Sequence, residues 1–368
     1  MLLKNRPSRP ILIMSIIAVC SAGCAADDAQ ANSLQNMRGA LLAAIEVTDD
    51  RIQQLIADDT TAIVVVLTSD SQQSEQTERA AAARVLASNL DLHYWIEVAR
   101  APELADAHPE WMASLQGHAE WRRFFPDLPI PGDDEVVKTY PWVPILAQET
   151  YAAQLERVKR LLADKPAAKG VFLNDLQGAP SACGCGNSLC RWTSDYGKKR
   201  TTTKLKDDAA ARFVEAVRDS MPDCSIIPVW TTECEEHDGA KDGLCAGVGC
   251  FKGICWRSYA NQLMPVAKTC PQLAVLATYR EFQRDLPIYG EKAGWIHEAV
   301  TSFQTMPPRH GGDAIDASRL ITVLQGWDGD ESDFAAQIRV ATRSGCAGYI
   351  VAYSKIEQSW EPRVVKWR

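Results

Sequence analysis

The sequence predicts an α/β protein built as a single (β/α)8 barrel of the TIM type. Eight short apolar or β-branched runs lie between Ala62 and Tyr353, with helical patterns between most of them. That count and alternation are what such a barrel requires. A doubly wound sheet usually has fewer strands and often opens on a Gly-rich phosphate turn. No G-x-G-x-x-G or P-loop follows the first run here.

The elements follow in order. Leu34 to Ala57 has the period of an amphipathic helix. Ala62–Leu67 is a continuous β-branched run, as expected for a strand buried on both faces. Glu78–Asn89 is Ala-rich and helical. Further strand-like runs fall at His93–Val98, Val136–Tyr140, Gly170–Asp175, Ser225–Trp230, Leu273–Tyr279, Leu320–Gln325 and Ala347–Tyr353. Thr150–Ala163 is the clearest helix, with Leu155, Val158, Leu161 and Leu162 on one face. Pro141 and Pro144 crowd the third run, and proline fits poorly in a central strand.

The N-terminus reads as an address rather than part of the fold. Lys4, Arg6 and Arg9 precede the apolar run Ile11–Val19, and Ser21-Ala22-Gly23-Cys24 follows. A basic head, a short apolar centre and small residues describe a secretion signal over residues 1–23. Cys24 after Ala-Gly resembles the bacterial lipoprotein signal, in which it would be lipidated and become the mature N-terminus. Residues 24–58 are then expected to be a lipidated tether and N-terminal helix, and residues 59–368 the barrel. The expected location is the cell envelope, periplasmic or outer surface, with membrane contact through the lipid.

Composition narrows the function. Of 368 residues, 46% are hydrophobic and 23% charged, a globular balance. The net charge is -8, and without residues 1–23 it is −11, from 36 Lys and Arg against 47 Asp and Glu. No basic block suggests nucleic acid as a partner. No set of long apolar runs suggests several membrane spans.

Barrel chemistry sits where strands run out into their βα loops. The runs exit through Glu97-Val98-Ala99-Arg100, Asn174-Asp175, Trp230-Thr231-Thr232-Glu233, Tyr279-Arg280-Glu281, Gln325-Gly326-Trp327-Asp328 and Tyr353-Ser354-Lys355. Carboxylates and aromatics on one rim suit sugar chemistry. One carboxylic acid protonates the leaving oxygen while a second carboxylate attacks the anomeric carbon or activates water. Asp175, Glu233 and Asp328 are the candidate catalytic acids, with Glu281 in reserve. Trp230, Trp327, Tyr279, Arg280, Tyr353, Glu97 and His108 are candidate substrate contacts. The competing explanation is that acids at strand exits cap the following helices. His93 shares a strand face with Glu97 and reads as a pocket residue or a core residue.

The stretch Ala105-Asp106-Ala107-His108-Pro109-Glu110-Trp111-Met112-Ala113 resembles a segment of bacterial glycoside-hydrolase-like barrel proteins, and the similarity covers roughly Ile63 to Tyr353. The order of an Asp after the fourth strand, a Glu after the fifth and an Asp after the seventh is similar to the alpha-amylase-type barrels. That resemblance implies Asp175 as nucleophile, Glu233 as acid/base and Asp328 as an orienting acid. Leu173 stands where that family carries Arg, so the likeness is one of placement. The partner it implies is a carbohydrate.

Twelve cysteines divide unevenly. Cys183, Cys185 and Cys190 follow the fourth run, and Cys234, Cys245, Cys250 and Cys255 follow the fifth, so Cys-rich loops are expected on the active face. Cys224, Cys270 and Cys346 precede strands and belong to the opposite face. Export favours disulfides. Cys224 and Cys270 precede consecutive strands and are expected to pair. No cofactor is expected, although the C-x-C-x4-C spacing could place three thiolates on a zinc ion. Three functions therefore compete: a glycosidase, a non-catalytic glycan- or partner-binding surface lipoprotein, and a thiolate-metal protein.

Overall fold

The structure is a computed structural model. It describes residues 34–68, 71–111, 135–138, 141, 143–145, 147–176, 203–231, 266–278, 280, 282–283, 289–309, 312–355 and 363–366. Among these, eight parallel strands close into one barrel. They are β1 (Met37–Ala43), β2 (Ala62–Val66), β3 (Asp91–Glu97), β5 (Gly170–Asn174), β6 (Ser225–Thr231), β7 (Leu273–Leu276), β8 (Leu320–Gln325) and β9 (Gly348–Ala352). The ring closes where Met37 pairs with Gly348 and Leu41 with Ala352. Helices α1 (Asp49–Ala57), α2 (Gln72–Ala87), α3 (Pro102–Ala107), α4 (Gln148–Leu162), α5 (Thr203–Ser220), α6 (Gly294–Arg309) and α7 (Glu331–Arg343) lie between strands.

Two expectations are corrected, and the corrections cancel in the strand count. The segment read as the start of an N-terminal helix is β1, so the barrel begins by Met37 and not at residue 59. Ala and Leu favour helices locally, but barrel closure decides. Met37 and Leu41 face the barrel interior, while Ala40 and Leu42 pack outward under the helices. Gly39 permits the approach of β9: a Cβ there would stand 2.9 Å from Ile350. The helical part of the pattern survives as α1, where the Thr48 hydroxyl accepts the Arg51 N–H at 3.2 Å.

The described part of the run at 136–140 lies outside the barrel. Its strand β4 (Glu135–Lys138) pairs antiparallel with β10 (Arg363–Lys366), Val137 opposite Val364. Pro141 follows directly and has no N–H to give a parallel ladder. Its carbonyl instead accepts from Ala101 N at 3.0 Å. Gaining β1 and losing β4 leaves Gly170–Asn174 as the fourth barrel strand.

Two cores hold the fold. Inside the barrel Trp95 stacks on Phe172, ring centroids 5.9 Å apart, among Leu41, Val64, Ile227 and Ile350. The outer core joins the other strand face to the helices; α4 contributes Val158 and Leu161, with Leu155 and Leu162 partly buried beside them. Glu78 of α2 is buried, where it accepts from Thr68 N at 2.7 Å and pairs with Lys165 at 3.0 Å.

The expected Cys224–Cys270 disulfide is not formed, and both residues are buried free thiols. The β6–β7 register sets Val229 opposite Ala274. Carried back along the chain, it places Ser225, not Cys224, opposite Cys270. Arg218 donates to the Cys270 sulfur at 3.0 Å. Burial pushes the Cys224 thiol up to about 12 and the Cys270 thiol up as well.

The signal, tether and lipidation residues before 34, Cys24 included, lie outside the described residues. Among those that are described, no helix is long and apolar enough to cross a membrane.

Candidate active site

The C-terminal mouth of the barrel gathers its chemistry over β3 and β5. Side chains alternate along a strand, so His93, Trp95 and Glu97 all face inward from β3. On β5 the same parity turns Phe172 and Asn174 inward. The register pairs Glu97 with Asn174 at the two strand ends. Trp95 therefore stands directly below Glu97, and its indole N–H donates to Glu97 Oε1 at 2.7 Å. Asn174 Nδ2 donates to the same carboxylate, 3.1 Å from Oε1 and 3.0 Å from Oε2.

Asp175 follows at once, with φ of 57°. A non-glycine residue in the left-handed region is uncommon and often marks a functional turn. The ladder runs on past both strands and fixes this turn: Val98 N donates to Asn174 O at 2.9 Å and Ala99 N to Asp175 O at 3.3 Å. Below the turn, Arg157 of α4 donates to the Glu97 carbonyl at 2.8 Å and forms an ion pair with Glu103.

Electrostatics single out Glu97. It is only partly exposed, and desolvation by the barrel wall pushes its carboxyl up, with the Asp175 charge adding to the rise. The Trp95 hydrogen bond, the Arg100 charge and the Asn174 hydrogen bond oppose it. The result is a carboxyl at about 7. One carboxyl poised to carry a proton beside a second acid is the pairing that acid–base chemistry uses.

The far side of the mouth is built by β7 and β8. Gln325, inward at the end of β8, clasps the Arg280 backbone, accepting from its N–H at 2.7 Å and donating to its carbonyl at 3.1 Å. Arg280 itself is buried. Trp327 packs on the interior cluster and is half-buried. Asp328 is exposed in the next turn, with φ of 54°.

Two expected substrate platforms face the wrong way. Ile227 and Val229 point inward on β6, so Trp230 points outward and is buried in the outer core. Tyr353 likewise turns outward, where the Arg51 guanidinium of α1 sits 4.3 Å over its ring. His108 ends α3 and stacks on Trp111 at 3.7 Å.

Glu233, Glu281, Tyr279 and the loop cysteines (Cys183, Cys185, Cys190, Cys234, Cys245, Cys250 and Cys255) lie outside the described residues. Among the described residues no group of three His, Cys, Asp or Glu could hold a metal.

His93 belongs to the other end of the barrel. It is fully buried, and neither ring nitrogen has a hydrogen-bond partner. It lines a cavity of about 510 Å3 with Leu34, Met37, Ala62 and Gly348. Sequence reasoning missed Trp95 and Asn174 as parts of the site. The signal lay in strand parity: Trp95 is two residues from Glu97, and Asn174 precedes Asp175.

No family model matches the chain, and no curated protein matches it. Solved structures resemble it distantly. One is a GH5_18 protein from Streptomyces cattleya in complex with GlcNAc, 12% identical, covering 86% of this chain and 70% of its own, with a TM-score of 0.45. Another is an endo-1,4-beta-D-mannanase from Thermotoga petrophila, 8% identical, covering 86% and 88%, with a TM-score of 0.45. A third is an endo-beta-1,4-mannanase from Cellulomonas fimi, 9% identical, covering 91% and 69%, with a TM-score of 0.45. At these TM-scores the likeness assigns nothing to this chain; the barrel is read from its own strand order.

Proposed function

We propose that this chain is an exported, lipid-anchored carbohydrate-active barrel that hydrolyses a glycosidic bond at its C-terminal mouth. One observation carries the reading: Asp175 stands in a left-handed turn directly after Asn174, whose amide holds a second, partly desolvated carboxyl, Glu97, and the Asp175 charge raises that carboxyl. Asp175 acts as nucleophile or base, and Trp327 offers a ring face to the sugar. Glu233, Asp328 and Glu281 remain candidate acids by their place in the sequence. Paired-carboxylate hydrolysis draws on no cofactor. On this reading Cys24 carries the lipid.

The test is release of reducing ends from a panel of polysaccharides and aryl glycosides by the purified chain and by Asp175→Asn. Loss of turnover by about 10² or more with an unchanged thermal midpoint supports the reading. Binding without release by the wild type would make the barrel a glycan-binding surface protein instead.

A further inference from the structure

We propose that Glu97 is the proton donor of this site, held in place by Trp95 and Asn174 as positioning residues. The inference rests on the hydrolase reading above. It moves the acid from the exit of β6, where Glu233 was expected, to the end of β3.

The hydrogen bonds decide which oxygen carries the proton. A carboxylate oxygen offers two lone pairs. Both on Oε1 are engaged, by the Trp95 indole at 2.7 Å and the Asn174 amide at 3.1 Å. Among the described residues Oε2 receives only Asn174, at 3.0 Å, which leaves a lone pair there for the proton. The acid proton therefore sits on Oε2. A donor needs a fixed direction, and contacts from two neighbouring strands supply one.

The surrounding charges set its strength. Asp175 approaches from the β5 exit and Arg100 from the β3 exit. Arg157 is directed at the Glu97 backbone carbonyl, and its charge is met by Glu103. Burial, then Asp175, outweigh Arg100 and the two donors, so the carboxyl titrates near the pH at which a general acid works best.

In the step, the Oε2 proton passes to the glycosidic oxygen as the bond from the anomeric carbon to that oxygen breaks. The bonding pair stays on the oxygen, which leaves as a hydroxyl. Water supplies the oxygen that ends on the anomeric carbon and the proton that resets Glu97. No oxidant or metal enters the balance.

The experiment has two arms on the full chain. In the first, carbon-detected NMR follows the glutamate side-chain carboxyls through a pH titration. Glu97 should titrate well above the ordinary carboxylate range, Asp175→Asn should lower its midpoint, and Trp95→Phe should raise it. A Glu97 midpoint in the ordinary range, or one indifferent to Asp175→Asn, overturns the proposal.

In the second, Glu97→Gln is compared with wild type on a polysaccharide and on 2,4-dinitrophenyl glycosides, whose leaving groups need no proton. A loss of 10²-fold or more confined to the polysaccharide is the expected result. Equal losses on both substrates, in a variant with wild-type spectra, overturn the donor role alone. A wild type inert on every glycoside removes the hydrolase reading, and the donor role with it.

Discussion

Asn174 donates from a single amide nitrogen to both oxygens of Glu97, at 3.1 and 3.0 Å, across the seam between β3 and β5. The two residues are partners in the barrel register, so the contact is built into strand pairing rather than into a loop. Sites on strands hold their geometry better than sites on loops. This seam also carries the interior stack of Trp95 on Phe172.

Replacing that amide tests what it does to the carboxyl. A donor to the ionised form favours ionisation. Asn174→Ala should therefore raise the Glu97 midpoint above about 7 and shift the alkaline limb of the rate profile, where the proton donor is lost, upward with it. A rate profile that stays in place while activity falls would make Asn174 merely structural.

Among the described residues, the buried pair Glu78–Lys165 should be the most fragile ionic contact outside the mouth. Both side chains are 2% exposed and 3.0 Å apart. Removing one partner deprives a buried charge of this contact, and breaking such a pair costs roughly 3–5 kcal/mol. Lys165→Met should lose about that much in chemical denaturation, and adding Glu78→Gln should restore part of it. An additive double variant would show that the two side chains do not interact.

His93 gives the fold an acid limit. Burial, the largest influence, holds its ring down at about 4; Asp91 pulls it up and Lys169 pushes it down. Protonation is thus easier in the unfolded chain, whose histidine has the ordinary value near 6.5. Stability is intact above that value and is lost as pH falls from about 6.5 through 4. His93→Leu should flatten the midpoint over this window. A wild type with no acid loss there would place His93 in contact with solvent.

Much of this architecture was legible, because continuous β-branched runs such as Ala62–Leu67 mean a strand buried on both faces. The Met37–Ala43 strand was not legible. Its Ala and Leu residues favour helix, and only closure against β9 makes them a strand. Val136–Tyr140 has strand composition, but its partner is β10, near the C-terminus of the chain. At the mouth, the position of Asp175 at a strand exit was readable. Trp230 and Tyr353 were misread because exit position was weighed and parity was not. Counting back by twos from Val229 turns Trp230 to the helices. The shared face of His93 and Glu97 was readable. The carboxyl's donors and its elevated titration depend on a register that the sequence does not display.

The most direct measurement of the central claim is a double-mutant comparison of kcat/KM on one hydrolysed polysaccharide. Groups that act as a unit are strongly non-additive. If Glu97 and Asp175 form one acid pair, each of Glu97→Gln and Asp175→Asn should lower kcat/KM by about 10² or more, and the double variant little further. Independent, multiplying losses, or a double variant that still turns over at the wild-type rate, would contradict it.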